Sequence, residues 1–230
     1  MLSNRLRGIN RIAKDAWADI IAAAQMHYQP GKFTTFVAYE YTSSTDDRGN
    51  LHRNVVFADA DKLPAMPFSR FHSQNPEGLW DWMDKLRSQG VESLAIPHNS
   101  NGSNGQMFKM VDWAGDPLDE EYAAQRLRNE PLVEITQVKG TSETHPSLSD
   151  NDEWADFEIM PYRVATVLPS APRGSYAREA LFHGLGVVRG LATAAAIHGL
   201  GGARSQLSRT ATVTDRQGVD RGWHASRDGI

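Results

Sequence analysis

The chain has 230 residues, of which 40 % are hydrophobic and 23 % charged, and its net charge is -4. This composition predicts one globular domain with a sizeable core, and it offers no positive surface for nucleic acid or anionic lipid. No apolar run reaches the roughly 20 residues that span a bilayer, and residues 1–12 lack the apolar stretch of a signal peptide. The default location is therefore the cytoplasm, and the location of any longer parent protein stays open.

Helices and strands alternate along the chain. Helices are predicted where apolar residues recur at helical spacing beside capping residues, over residues 13–28, 75–90, 119–129 and 175–185. Strands are predicted where short β-branched or aromatic runs lie between polar loops, over residues 33–41, 54–58, 94–96 and 131–138. This alternation predicts an α/β fold built on a largely parallel sheet or barrel.

Residues 186–230 differ in composition from the rest of the chain. From His183 to Ile230 there are six Arg and nine Gly but no Lys, Glu or Pro. Such a segment has little apolar surface to offset the entropy of ordering, so we expect it to pack poorly. Two interpretations are compatible with this composition. The segment is either a disordered or extension-forming tail, or the product of a frameshift or gene-boundary error. The predicted division is a domain over 1–185 and a Gly/Arg/Ala-rich tail over 186–230.

Three side chains at junctions between apolar strands and polar loops are candidate metal ligands. His98 follows the strand at 94–96, Glu40 lies near the end of the strand at 33–41, and His52 precedes the strand at 54–58. Imidazole is the commonest metal ligand, and a carboxylate on an apolar strand is costly to bury unless it is paired or metal-bound. Since the chain has no cysteine, a metal ion would need histidine and carboxylate.

In a parallel β/α arrangement the carboxyl ends of the strands share one face, so Glu40, His52 and His98 are expected to converge within about 5 Å of a common point. The alternatives are a surface Glu40, an exposed loop His52 and a His98 that is merely hydrogen-bonded within its loop. The polar loop at 99–105 has closely spaced amides and permissive glycines that suit a substrate oxyanion, although an ordinary surface loop has the same composition.

Four segments resemble one protein family in their sequence and in their order. They are 31–42 (GKF followed by AYEYT), 50–57 (NLHRNVVF), 95–105 (AIPHNSNGSNG) and 134–143 (EITQVKGTSE). The chain resembles, from Trp17 to Leu185, the bacterial domain of unknown function three-six-zero-four, a branch of the polymerase-and-histidinol-phosphatase (PHP) superfamily. The resemblance implies a distorted (β/α) barrel, a site of two or three metal ions and hydrolysis of a phosphoester by metal-activated water.

The resemblance also implies roles for individual residues. Glu40, His52 and His98 match metal ligands, and Glu40 and His98 are the residues expected to matter most for catalysis. Asn99, Asn101 and Gln137 are candidate contacts to a small phosphorylated substrate. Glu134 matches a position that either binds metal or orients a ligand through a hydrogen bond. Weaker candidates for a part in the site are Glu143 and His145. The implied ion is Zn, Mn or Fe.

Two superfamily motifs are missing from this sequence. No His-x-His pair opens the first strand, and no Asp-x-His pair follows Leu185. The chain is therefore expected to be an incomplete PHP-type barrel, a fragment of a metal-dependent hydrolase that is inactive or weakly active by itself. The alternative is a non-catalytic PHP-like remnant or binding module that holds at most one metal ion. Neither nucleic acid nor a membrane is expected as a partner, and the oligomeric state stays open.

Overall fold

The computed structural model describes the backbone of residues 2–183 and the side chains of residues 11–183. Its central element is a three-stranded sheet in the order β1 (Ala38–Tyr41), β2 (Arg53–Phe57) and β3 (Ser93–Pro97). Both strand pairs are antiparallel. The expectation of a largely parallel sheet is therefore wrong for the described residues, which contain no closed barrel. The loop between β1 and β2 contains no crossover helix, which suits their antiparallel pairing, whereas β2 and β3 pair antiparallel although α2 lies between them in the chain.

The core lies on the side of this sheet that faces α1 (Leu2–His27) and α2 (Pro76–Ser88). Alternate residues of β2 are buried, so Val55 and Phe57 point inward together. The core residues are Trp17, Val37, Tyr41, Val55, Phe57, Leu79, Met83, Leu86 and Ala95. Helix α1 begins earlier than the predicted helix at 13–28. None of the helices within residues 2–183 has the length and apolarity to cross a membrane.

Helix α2 begins and ends close to where its sequence signals predict. The side chain of Asn75 accepts a hydrogen bond from the backbone N–H of Glu77, and Pro76 occupies the first helical position. Helix α3 (Glu120–Asn129) begins in the same way, since Asp119 accepts from the backbone of Tyr122. Asp84 of α2 joins the two helices by accepting hydrogen bonds from Arg128 and Asn129 of α3. These caps are local signals, which explains why the sequence predicts both helices.

Two predicted strands are shorter than expected. The segment 33–41 forms a strand only at its end, because Phe33 pairs back on Gln29 across a turn at Gly31. The segment 131–138 contributes only β4 (Thr136–Gln137), which forms an antiparallel hairpin with β5 (Gly140–Thr141). The backbone N–H of Glu134 donates to Pro97 of β3 at 3.0 Å, a single contact rather than a ladder. Residues 177–183 are helical as predicted, and the predicted tail at 186–230 lies outside the described residues.

Candidate metal centre

One edge of the sheet gathers the three candidate ligands. Strands β1 and β3 run in the same direction on either side of β2, so their carboxyl ends lie beside the start of β2. Glu40 is the last residue but one of β1, His98 follows β3 directly, and His52 precedes β2. The backbone N–H of His98 donates to the carbonyl of His52 at 3.3 Å. The residues converge as expected, but through antiparallel pairing rather than through parallel strands.

The carboxylate of Glu40 lies between the two imidazoles. Its Oε1 is 2.7 Å from Nδ1 of His52 and 3.3 Å from Nε2 of His98. One ligand atom from each residue can be chosen so that all three lie within 4.8 Å of one another. Two ligand atoms bonded to one ion at about 2.0–2.2 Å are at most about 4.4 Å apart. Small side-chain adjustments would therefore bring all three ligand atoms to bonding distance of one ion. Two histidines and a carboxylate are also a donor set that zinc accepts, so this group could hold a metal ion.

The environment of His52 favours its neutral imidazole. The His98 side chain is 8 % exposed and that of His52 is 18 % exposed, whereas Glu40 is 44 % exposed. Burial lowers the pKa of His52, and the positive charges of His98 and Lys139 lower it further, against the opposing effect of Glu40. A lowered pKa keeps His52 uncharged near neutral pH, and the uncharged ring is the form that binds metal.

Asn50 holds the turn that carries His98, a role that the sequence motifs did not reveal. Its side-chain amide donates to the carbonyl oxygens of His98 at 2.7 Å and of Asn99 at 2.9 Å. Asn99 adopts a left-handed backbone conformation with φ of 53°, which non-glycine residues other than Asn and Asp rarely tolerate.

Glu134 lies beside the His98 loop and outside the three-residue group. Its Oε1 accepts from the backbone N–H of Asn99 at 3.4 Å and from Nε2 of Gln137 at 2.9 Å. The carboxylate thus contacts the residue that follows His98, which suits the orienting role implied by the resemblance. Gln137 donates one amide N–H to Glu134, and its predicted substrate contact would use the other amide N–H or the amide oxygen.

Asn101, predicted as a substrate contact, has its side chain engaged within the fold. It is buried, its amide donates to the carbonyl of Lys139 at 2.9 Å, and its Oδ1 accepts from the hydroxyl of Ser142 at 3.1 Å. The geometry therefore gives Asn101 a structural role, as a link between the His98 loop and the β4–β5 hairpin. Asn99 is buried as well, but within the described residues its Oδ1 has no hydrogen-bond partner.

The two weaker candidates lie in other contacts. Glu143 forms an ion pair with Arg178 at 2.6 Å, and Arg178 also pairs with Asp152. His145 caps the short helix Pro146–Leu148, where its Nδ1 accepts from the backbone N–H of Ser147 at 3.2 Å. Neither residue belongs to the Glu40, His52 and His98 group, which is the single such group among the side chains described.

Comparison with known proteins identifies a family. A protein-family model described as "Protein of unknown function (DUF3604)" matches residues 2–216. The chain belongs to the DUF3604 family. The family model matches a longer part of the chain than the range from residue 17 to residue 185, in which the sequence motifs resemble the family. Searches of curated proteins and of solved structures found no match to this chain.

In this DUF3604 chain the residue that follows His52 belongs to a buried ion pair. The guanidinium of Arg53, next to His52 in sequence, contacts Glu130 at 2.7 Å, and each side chain is 2 % exposed. Trp80 also donates its indole N–H to Glu130 at 2.8 Å. Burial acts to raise the pKa of Glu130, but Arg53 and Arg126 outweigh it and lower that pKa. Arg53 points inward on the same face of β2 as Val55.

Proposed function

We propose that this chain carries the metal-binding part of a metal-dependent hydrolase of PHP type that acts on phosphoesters. The observation that carries the proposal is the convergence of Glu40, His52 and His98, with one ligand atom from each lying within 4.8 Å of the others. Their positions match metal ligands in the PHP-like sequence pattern described above. Zn²⁺ suits the donor set, and Mn²⁺ or Fe²⁺ would suit it as well.

Each of the three residues has a distinct part in this proposal. The two imidazoles would donate nitrogen lone pairs, and the fold limits their movement because both are largely buried. Glu40 is the most exposed of the three, so its carboxylate can also accept a proton from water at the site. A divalent cation held there would act as a Lewis acid, lowering the pKa of water and neutralising charge on a phosphate group.

A second candidate function is a non-catalytic module that binds one metal ion. The specific observation in its favour is that the described side chains, residues 11–183, contain one group of three clustered ligands and no other. In-line displacement at phosphorus commonly uses two metal ions about 3.5–4 Å apart. A single three-ligand group suits binding of one ion better than it suits that reaction.

The experiment that separates these functions combines calorimetry with an assay. Zn²⁺ and Mn²⁺ are titrated into the protein, and release of product from an aryl phosphate is followed with each ion. His98→Ala is the test variant, and His72→Ala is the matched control because His72 is exposed and bonds to Ser69. Slow metal-dependent turnover that His98→Ala abolishes supports the hydrolase. Binding of one ion with no turnover supports the binding module, and no binding by the parent protein overturns both.

A further inference from the structure

We propose that a cleft on the side of β2 that faces α2 binds a small molecule in which a carboxylate is carried on an aromatic ring. The cleft has a volume of about 360 Å³, including the part that is open to solvent. The first residues of α2 border it, and so does one side of α3. The lining residues that matter for binding are charged or aromatic, and they are Arg53, Trp80, Lys109, Trp113, Tyr122 and Arg126.

The cleft is separate from the candidate metal centre. Arg53 lines it from the buried face of β2, whereas the next residue, Asn54, is exposed on the other face. Glu40 is paired directly with Asn54, so its side chain lies on the face opposite the cleft. Neither His52 nor His98 lines the cleft. A ligand in the cleft would therefore bind without a metal ion, and its binding goes beyond the proposed function.

Positive charge at the cleft exceeds negative charge. Arg53 and Arg126 both donate to Glu130, so two guanidinium groups share one carboxylate. Lys109 is half-buried and has no carboxylate within ion-pair distance among the described side chains. The carboxylate of Glu77, which lines the cleft, already accepts from a backbone N–H and from a side-chain amide. Three cations therefore face two engaged carboxylates, and this charge favours an anionic ligand.

Arg53 has a donor nitrogen that no described residue uses. Its Nε donates to Glu130 at 2.7 Å and its Nη1 donates to the carbonyl of Leu51 at 2.6 Å, which leaves Nη2 without a hydrogen-bond partner among the described residues. The Arg53 side chain is 2 % exposed, and buried polar groups are ordinarily paired. Water could accept from this nitrogen, but only an anion would also neutralise the excess positive charge.

Three aromatic side chains also line the cleft and indicate the rest of the ligand. Trp80 and Tyr122 pack edge to face with their ring centroids 5.3 Å apart, and Nζ of Lys109 lies 5.5 Å from the centroid of the Trp113 ring. Walls of this kind suit a flat apolar ring. A carboxylate accepts several hydrogen bonds on its two oxygens, so it can pair with Arg53 and Lys109 together. The ligand class that fits is an aromatic carboxylate, of which benzoate is the simplest.

The test follows benzoate binding through the indole N–H signals in NMR spectra of isotope-labelled protein. A chelator is present throughout, so that no metal ion contributes to binding of the carboxylate. Benzamide is the neutral control ligand, and acetate is the control that lacks the ring. The test variant is Lys109→Met, which removes the charge and keeps a side chain of similar length. The matched control is Lys62→Met, at an exposed lysine outside the cleft.

We expect benzoate to bind with a dissociation constant on the order of 1 mM, as a ligand of this size allows. It should shift the indole signals of Trp80 and Trp113 but not that of the exposed Trp154, which lies outside the cleft. Lys109→Met should weaken binding about tenfold, as expected for loss of one charge-assisted hydrogen bond, and Lys62→Met should leave it unchanged. Benzamide and acetate should each bind more weakly than benzoate.

Three results would overturn the proposal. Unmoved signals of Trp80 and Trp113 would show that benzoate does not enter the cleft. Equal benzoate affinity of Lys109→Met and the parent protein would remove the role of the ammonium group. Binding of benzamide or acetate as tight as that of benzoate would show that the cleft does not select an aromatic carboxylate.

Discussion

Arg53 and Glu130 form a buried ion pair, 2.7 Å apart, at the position where β2 begins. The pair joins the strand that follows His52 to the residue after α3, 77 positions away in sequence. It is surrounded by further donors, since Trp80 and Arg126 also donate to the Glu130 carboxylate. Breaking such a pair leaves an uncompensated buried charge, so the structure predicts a large energetic effect from a small chemical change.

Glu130→Gln should lower the free energy of unfolding by about 3–5 kcal/mol, because Arg53 keeps its charge and loses its buried partner. Chemical denaturation followed by circular dichroism measures the change. The control is Glu153→Gln, at an exposed position, which should change stability by no more than about 0.5 kcal/mol. A loss below about 1 kcal/mol in Glu130→Gln would contradict the buried pair.

Zn²⁺ or Mn²⁺ should raise the melting temperature, since an ion that binds only the folded state stabilises it by mass action. At one hundred times the dissociation constant the gain is about 2.7 kcal/mol, or roughly 5–10 °C for a domain of this size. Alanine at Glu40, His52 or His98 should remove the shift, and His72→Ala should retain it. Differential scanning fluorimetry measures all five proteins, and a shift that survives all three ligand substitutions would place the ion elsewhere.

Asn50→Ala should destabilise the protein by roughly 2–3 kcal/mol, because it leaves the carbonyl oxygens of His98 and Asn99 without a buried donor. It should also weaken Zn²⁺ binding, since the turn that orients His98 loses its support. Denaturation and metal titration are compared with Asn151→Ala, a change at an exposed position. Unchanged metal affinity in Asn50→Ala would show that the turn holds His98 without this amide.

Acid should weaken the contact between α2 and α3. Hydrogen bonds from Arg128 above all, with those from Asn129 and Gln125, lower the pKa of Asp84 to about 2 despite partial burial. The unfolded state has the ordinary pKa of about 3.9, so it binds the proton first as the pH falls. The stabilisation is therefore complete above pH 4 and is lost between about pH 4 and pH 2.

The Asp84 contribution is on the order of 2 kcal/mol at neutral pH. Denaturation curves recorded from pH 6 to pH 2 should show a steeper loss of stability for the parent protein than for Asp84→Asn, which has no carboxylate to protonate. Asp156→Asn is the control at an exposed acidic position. Parallel curves for the parent protein and Asp84→Asn would contradict the lowered pKa.

The sequence by itself determined the local features. It located α2 and α3 because their caps at Asn75 and Asp119 act within one helical turn. It also identified Glu40, His52 and His98 as candidate ligands, because each stands where an apolar run meets a polar loop. The family resemblance was likewise readable from short contiguous segments.

Only the tertiary structure decided how these elements meet. The same alternation of apolar and polar runs is compatible with parallel and antiparallel strands, so local patterns left the direction of β2 open. The Arg53–Glu130 pair and the Asn101–Lys139 contact join residues far apart in sequence, and no local period encodes such pairs. They depend on which surfaces pack together once the chain has folded, because a buried charge or amide is costly unless packing brings hydrogen-bonding partners beside it.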